Sequence, residues 1–332
     1  MRDEIDGVTI DKPIYVASVA RSGTTILTEV LTRHPDVTSH RYSDFPNVYT
    51  PYWRNWLAQR IQGGPARSVE RAHKDRLMVT SESPEAVEEV LWMRFFDHLH
   101  DPARSHVLDS STSNPAFEAL YRDHVRKLLL VRGRSRYLAK GNYNTTRLGY
   151  LLKLFPDARF IVPVRNPVNH IASLVKQDRL FERLAGEDPR VPAHLHRSGH
   201  FEFGPGKRCI HAGDDRRALA IQQAWHTGRR VRGWALYWDC VYAHLKQIHE
   251  RDREVRDAVL FVRYEDLCRD TESTLDAILA HCALDPQAFE PVRAEYADKL
   301  NEPDYYAPDF SPEALEIIRE VTGDTAQWYG YG

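Results

Sequence analysis

The chain has 332 residues, and its 45 Lys and Arg against 47 Asp and Glu give a formal charge of -2 at pH 7. This balance excludes the large basic surface of a nucleic-acid-binding domain and a polybasic membrane contact. The four cysteines form no Cys-x-x-Cys pair, so neither a zinc site nor a disulfide framework is expected. No stretch has the length of a membrane span, and the charged N-terminus lacks an apolar signal core. We expect a cytoplasmic protein, although a chain cut from an N-terminal anchor would look the same.

The first predicted unit is a strand, a turn and a helix between Pro13 and Leu27. Residues 14–19 are mostly apolar and β-prone, and from Thr25 the apolar side chains recur with helical spacing. Backbone N–H groups and the positive end of the helix dipole converge on such a turn, which therefore binds anions. The turn adds a fixed positive charge and side-chain donors from Arg21, Ser22, Thr24 and Thr25.

The spacing of this turn is close to that of the Walker phosphate loop. Ser18 and Gly23 take the two glycine positions and Thr25 the hydroxyl position. Thr24, however, stands where the Walker pattern has its lysine, which nucleoside triphosphatases use on the β- and γ-phosphates beside magnesium. The pattern therefore argues against ATP or GTP as the reacting nucleotide. A P-loop kinase-like phosphotransferase with an altered lysine position remains the alternative, and magnesium-dependent ATP turnover would distinguish it.

Further strand signals alternate with helical patterns along the chain. With residues 14–18, they are Val107–Leu108, Tyr137–Ala139, Phe160–Val164 and Val259–Val262. This alternation predicts a single α/β domain, residues 1–332, with a parallel sheet covered by helices on both faces. Three regions look like additions to that core and are candidate acceptor or lid segments. They are residues 41–60, residues 178–215 with little clean periodicity, and an aromatic tail, residues 301–332, with one short helix near 312–320.

A second anion-binding pattern runs from Arg159 to Ser173. Pro167 suits the first turn of a helix, so Arg165 is expected at the carboxyl end of the preceding strand. Ser173 then lies about two turns into that helix. Because this pattern and the Arg21 turn both follow strands, they are expected at the same carboxyl edge of the sheet, where open α/β sheets bind ligands.

These segments resemble the sulfotransferases that use 3′-phosphoadenosine 5′-phosphosulfate (PAPS), especially those of bacterial type. Arg21-Ser-Gly-Thr-Thr25 is similar to their 5′-phosphosulfate loop, and the segment with Arg165 and Ser173 to their 3′-phosphate motif. Tyr137-Leu-Ala-Lys-Gly-Asn142 resembles a lysine-bearing strand end, with Lys140 as the matching residue. Ala258 to Leu267 resembles the late strand that ends in Tyr-Glu-Asp-Leu, whose tyrosine, Tyr264 here, lies near the nucleotide.

The resemblance implies the P-loop NTPase-like sulfotransferase fold and a reaction without metal. A sulfuryl group would pass in line from PAPS to a hydroxyl, less often an amine, of a small-molecule, glycan or lipid acceptor, leaving 3′-phosphoadenosine 5′-phosphate (PAP). Arg21 would contact the 5′-phosphosulfate and stabilise the leaving group, with Lys140 as a second cation. The nucleotide-binding residues it implies are Arg21, Ser22, Gly23, Thr24, Thr25, Arg165, Ser173 and Tyr264.

The general base does not match the family pattern. The tyrosylprotein branch has a glutamate about twenty residues after the loop arginine, and this chain has Tyr42 there. The predicted base is Asp44, with His40 as its rival and Glu82 third. The mismatch leaves open a nucleotide-binding protein without catalysis. The His194-x-His196 pair has no nearby carboxylate at metal-ligand spacing, so no metal site is expected.

Overall fold

The computed structural model describes residues 2–50, 52–53, 68–70, 78–301 and 308–332. The strands in these ranges are β1 (Ile14–Val16), β2 (Val37–Thr38), β3 (Val69–Glu70), β4 (Met78–Val79), β5 (Arg136–Lys140), β6 (Arg159–Val164) and β7 (Val259–Arg263). The first α-helices are α1 (Arg2–Asp6), α2 (Thr24–Leu31), α3 (Glu89–Phe95), α4 (Pro115–Arg132), α5 (Leu148–Leu154), α6 (Pro167–Glu187) and α7 (Arg190–Ser198). The later ones are α8 (Asp215–His226), α9 (Arg230–Arg251), α10 (Arg253–Ala258), α11 (Tyr264–Arg269), α12 (Thr271–Cys282), α13 (Pro286–Lys299) and α14 (Pro312–Trp328).

Five strands form an all-parallel sheet in the order β2-β5-β1-β6-β7, while β3 and β4 form a separate antiparallel pair. The central strand β1 pairs on both sides: Val16 lies opposite Lys140 of β5 and Ile161 of β6. The predicted α/β class with a parallel sheet is therefore confirmed. The register also brings the chain after β1 next to the end of β5.

The core has two apolar layers, one on each face of this sheet. Because alternate side chains of a strand point to opposite faces, Tyr15 joins one layer while Ile14 and Val16 join the other. Tyr15 stacks on Phe160 with ring centroids 5.6 Å apart. Both strands have these side chains fully buried, as expected for a parallel sheet with helices on both faces.

One predicted strand is wrong and one was missed. Val107 and Leu108 lie outside the sheet in an extended segment, in which the Leu108 N–H donates to the Thr146 carbonyl. The edge position belongs instead to β2, which pairs with the start of β5. Two apolar residues are too short a signal to separate a strand from an extended loop, because pairing partners decide between them.

The predicted additions are more helical than expected. Residues 178–187 complete α6 and residues 190–198 form α7, although the sequence showed little periodicity there. The tail helix α14 continues to Trp328, beyond the predicted 312–320. Its end packs into the core, where the Tyr329 hydroxyl donates to the Tyr242 carbonyl. Residues 51 and 54–60 of the first region and 302–307 of the tail lie outside the described residues.

Within the described ranges, the model contains no helix that is both long and apolar enough to cross a bilayer. The four cysteines are buried free thiols: Cys209, Cys240, Cys268 and Cys282.

Candidate active site

One cavity of about 1090 Å³ lies at the carboxyl edge of the sheet. The loop after β1 reaches it with Arg21, and the ends of β5, β6 and β7 bring Lys140, Arg165 and Tyr264. The basic residues that line it are Arg21, Lys140, Arg165, Lys176, Arg190, Arg197 and Lys299, against the acidic Glu29, Glu85, Asp188 and Glu202. A chain of formal charge -2 thus surrounds this cavity with an excess of positive charge, which suits a polyanionic ligand.

The loop before α2 has a backbone that a side chain would disturb. Gly23 caps the helix at φ 104, in the left-handed region, and a Cβ there would lie 2.6 Å from Cδ2 of Tyr264. The Tyr264 ring therefore packs directly against the bare Cα of Gly23. Arg21 is also left-handed, at φ 73. This conformation leaves the first N–H groups of α2 without intrahelical partners, as an anion site requires.

Gly23→Ala is expected to destabilise the protein by about 2 kcal/mol, because it adds left-handed backbone strain and a clash with Tyr264. Urea unfolding measures the change in the free energy of unfolding. The matched control is Gly186→Ala in α6, where a Cβ meets no atom within 4 Å and the backbone is helical. Equal stability of the Gly23 variant and its parent would contradict the close packing of Tyr264 on this loop.

Residues distant in sequence meet beside this loop, and we call Arg21, Arg165, Ser173 and Tyr264 the arginine cluster. The Arg21 Nε donates to Ser173 Oγ at 3.2 Å, and the Arg165 Nη1 donates to the Arg21 carbonyl at 3.4 Å. The Arg165 guanidinium lies 4.9 Å from the centroid of the Tyr264 ring. The Arg165 Nε is buried and has no hydrogen-bond partner among the described residues. The cluster therefore keeps a buried cationic donor that an anionic ligand could use.

A buried histidine that sequence reasoning missed supports the loop. His170 Nε2 lies 2.8 Å from the carbonyl oxygen of Ala20, the residue before Arg21. Burial, with the positive charges of Arg165 and Arg21, lowers the pKa of His170 to about 3, so the imidazole is neutral and donates to that carbonyl. Ser22 is fully buried and does not line the cavity, whereas Thr24 and Thr25 do.

Lys140 connects the loop to a buried carboxylate. Its Nζ donates to Thr25 Oγ1 at 3.3 Å and to Glu85 Oε1 at 3.1 Å. Burial opposes ionisation of Glu85, but Lys140, His200 and a hydrogen bond with Tyr42 hold its pKa well below the usual range. Lys140 is thus held beside the loop as an ion pair, with its charge facing the cavity.

A histidine and a carboxylate form a second pair in the cavity. His200 Nδ1 lies 3.4 Å from Glu202 Oε2, and Asn142 Nδ2 donates to Glu202 Oε1 at 2.8 Å. Although burial favours the neutral carboxyl, His200 and Asn142 lower the pKa of Glu202 to about 2. Burial alone would lower the pKa of His200, but Glu202 outweighs it and raises that pKa above its ordinary value. Asn142 follows Lys140 by two residues, so the end of β5 positions both pairs.

Comparison with known proteins agrees with this geometry. A family model described as the sulfotransferase family matches residues 13–189, which is more than half of the chain. The chain belongs to the sulfotransferase family. No curated protein matches it significantly in sequence.

Two solved sulfotransferases share the fold. Sulfotransferase STF9 from Mycobacterium avium superposes with a TM-score of 0.58 at 13% identity, covering 99% of this chain and 80% of its own. Sulfotransferase STF1 from Mycobacterium tuberculosis H37Rv superposes with a TM-score of 0.52 at 15% identity, covering 97% and 79%. At these identities the likeness establishes the sulfotransferase fold.

The bases predicted for this sulfotransferase lie away from its cavity. Asp44 is buried, and the Arg132 Nη2 donates to its Oδ1 at 2.9 Å while His40 Nδ1 lies 3.2 Å from its Oδ2. Burial favours the protonated carboxyl, yet His40 and Arg132 hold the pKa of Asp44 well below its usual range. The other nitrogen of His40 faces His124 at 2.9 Å. Both residues therefore serve an internal polar network, and neither lines the cavity.

Glu82 likewise forms a surface ion pair with Arg41 outside the cavity lining. Of the predicted acceptor regions, Tyr42 and His194 do line the cavity, and Phe45 contacts the His194 ring edge-on with centroids 5.8 Å apart. Among the residues that the structure describes, no group of three or more His, Cys, Asp or Glu could hold a metal ion.

The ion pairs beside Lys140 and Asn142 escaped sequence reasoning for a physical reason. Glu85, His200 and Glu202 fall in segments without periodicity, and none stands at a family spacing from Arg21. The one available signal was Tyr42, at the position where the tyrosylprotein branch has its glutamate. Tertiary contacts with Lys140 and Asn142 bring Glu85 and Glu202 to the cavity.

Proposed function

We propose that this sulfotransferase uses PAPS and transfers its sulfuryl group to a hydroxyl, less often an amine, of an acceptor. The single observation that carries the proposal is the arginine cluster, in which Arg21 of the first anion-binding loop hydrogen-bonds Ser173 of the second. Two phosphate-binding patterns 152 residues apart thereby face one cavity, as a nucleotide with phosphates at both ribose ends requires. When bound, PAPS supplies an activated sulfuryl group on a phosphate leaving group.

The chain's residues divide this work by position. Arg165 and Ser173 would hold the 3′-phosphate, and the α2 N-terminus with Thr24 and Thr25 would hold the 5′-phosphate. Arg21, at the junction, would stabilise charge on the departing phosphate. Lys140, fixed by its contacts to the loop and to Glu85, supplies a second positive charge. The reaction needs these fixed charges and a proton acceptor, and it needs no metal.

We assign the proton acceptor to His200. A base is most effective when its pKa lies near the working pH, and the pKa of His200 is raised from an ordinary value that is already close to neutral. Glu85 is a poorer choice, because its pKa is held far too low for it to draw a proton from a hydroxyl. Glu202 orients the imidazole through Nδ1, leaving Nε2 for the acceptor.

Glu202→Gln is expected to move the acidic limb of the kcat/KM profile to lower pH. The negative charge of Glu202 favours the protonated imidazole, so its removal lowers the pKa of His200 and populates the basic form at more acidic pH. Rates measured from acidic to alkaline pH test the shift. Glu182→Gln, which removes a carboxylate paired with Arg230 outside the cavity, should leave the limb in place. An unmoved limb in the Glu202 variant would argue that His200 is not the group that titrates.

The function is tested by following PAP release from PAPS with a broad panel of hydroxylated acceptors in the presence of EDTA. We expect acceptor-dependent PAP release that chelation does not reduce. Magnesium-dependent ATP turnover would instead support the kinase-like alternative. Tight PAP binding without release under any condition would support the non-catalytic alternative.

A further inference from the structure

The face of α6 that lines the cavity changes character along its length. Ser173, a member of the arginine cluster, and Gln177, one turn further along, are polar, whereas Phe181 and Leu184 on the same face are apolar. These positions are three or four residues apart, so they share one side of the helix. Ser173 and Leu184 are separated by about 16 Å of helix, from the rise per residue. The cavity therefore continues well beyond the phosphate-binding end and becomes apolar.

Helix α7 adds further apolar side chains to this end of the cavity. Val191 and Leu195 are four residues apart, and both line the cavity while staying partly exposed. In the same cavity lining Phe181 stacks on Phe203, with ring centroids 5.9 Å apart and an interplanar angle of 17°. We call Leu184, Val191 and Leu195 the apolar wall. Partly exposed aliphatic side chains gathered on one cavity surface are typical of a site that buries an apolar ligand.

The charged side chains of α7 that line this end of the cavity are exposed to solvent. Arg190 Nη2 lies 2.8 Å from Asp188 Oδ2, so these two side chains neutralise each other. Arg190 and Arg197 are exposed at the rim, and His194, which contacts the Phe45 ring, lies on the cavity side of α7. A glycan site would need a dense set of buried polar partners, because every hydroxyl that is buried without a hydrogen bond weakens binding.

A short turn joins two residues of the wall, Val191 and Leu195, to the proposed base. Helix α7 ends at Gly199, which is left-handed at φ 78 and so close to Glu89 that a Cβ would lie 2.7 Å from that residue's Cβ. His200 follows immediately. A fixed turn therefore places the imidazole at the end of the helix that carries Val191 and Leu195, beside Lys140, whose charge acts on it.

We infer that the acceptor is an alcohol or phenol with an apolar body, which lies along the apolar wall while its hydroxyl reaches His200. This inference rests on the proposed function and deepens it. The inference selects among the acceptor classes by how much apolar surface each would bury. Each methylene that moves from water to the apolar wall contributes about 0.8 kcal/mol of binding free energy, or roughly a fourfold gain in kcat/KM. A hydrophilic sugar hydroxyl would gain nothing from this surface.

The test uses the full chain with PAPS and linear primary alcohols of increasing length, with methyl glucoside as the hydrophilic acceptor. We expect kcat/KM to rise about fourfold per methylene over the first several carbons and to exceed that of methyl glucoside. Leu184→Gln should flatten this rise. Leu219→Gln, which changes an exposed leucine of α8 outside the cavity, should leave it unchanged.

A soluble naphthol and a long-chain alcohol in phosphatidylcholine vesicles separate the two sources of such an acceptor. Turnover of either one supports the inference and identifies a free small molecule or a membrane lipid. If sulfuryl transfer is slow, calorimetry still tests the inference by measuring the binding of decanol to the PAP-bound protein. A flat chain-length series together with no decanol binding would overturn the inference. Transfer to methyl glucoside alone would also overturn the inference about the acceptor, but the proposed sulfotransferase function would stand. If the parent protein did not bind PAP, that function itself would be refuted.

Discussion

Arg165→Ala is expected to weaken PAP binding by at least about 100-fold, which corresponds to roughly 3 kcal/mol for the charge-assisted hydrogen bonds that are lost. The Arg165 Nη1 donates to the Arg21 carbonyl, which orients the guanidinium before a ligand arrives, and the buried Nε has no hydrogen-bond partner among the described residues. The guanidinium also lies over the ring of Tyr264, which covers the Gly23 loop. Its removal therefore weakens the nucleotide site directly and loosens the neighbouring loop. Isothermal titration with PAP measures the change in Kd.

The matched control is Arg263→Ala. Arg263 also ends a strand of the sheet and also lies over a tyrosine ring, that of Tyr331 at 4.7 Å, but it does not line the cavity. We expect PAP affinity within about twofold of the parent for this variant, and similar unfolding curves for both. If the Arg165→Ala variant bound PAP as tightly as the parent, the proposal that Arg165 binds a phosphate group of the nucleotide would be contradicted.

His200→Ala is expected to reduce kcat by about 10² to 10⁴-fold, the range typical of a lost general base. PAP affinity should stay near that of the parent, because the arginine cluster and the α2 loop do not contact this side chain through any hydrogen bond found in the structure's described part. The side chain is partly exposed to the cavity, so its truncation leaves space that a small base can enter. Added imidazole is therefore expected to restore part of the rate.

The control for this prediction is His196→Ala. His196 is exposed on α7, the helix that precedes His200, and does not line the cavity, so kcat should not change. A kcat for His200→Ala within about threefold of the parent, with no response to imidazole, would refute the base assignment. Glu85→Gln would then be the next variant to examine, because Glu85 also lines the cavity and accepts a hydrogen bond from Lys140.

The sulfotransferase fold could be predicted because its strand, turn and helix units depend on local chemistry, and the same units carry the residues that we propose to bind phosphate. A buried strand, a turn and a helix N-terminus follow one another in the sequence around Arg21, and again around Arg165. Each such unit assembles its donors within about fifteen residues, so spacing alone places them. The parallel order of the strands then brings both units to one edge, as the alternation of elements predicted.

The base that we propose, His200, does not follow from local chemistry in this way. Asp44 was chosen by its distance along the chain from Arg21, yet Arg132 at the end of α4 pairs with its carboxylate in the interior. His200 and Glu202 come from a segment with no strand or helix pattern. Their position depends on Asn142 at the end of β5 and on the left-handed turn at Gly199.

The sequence by itself therefore determined the family, the α/β class with a parallel sheet and the two strand-turn-helix units that face the cavity, since these are encoded in contiguous residues. Only the tertiary structure decided which titratable groups face the cavity and which are neutralised inside the core. Interactions such as the packing of Tyr264 on Gly23, or the effect of the His200 charge on Glu85, join residues more than a hundred positions apart. A pKa depends on burial and on neighbouring charge, so the chemical role of a carboxylate or imidazole is settled only when the chain is folded.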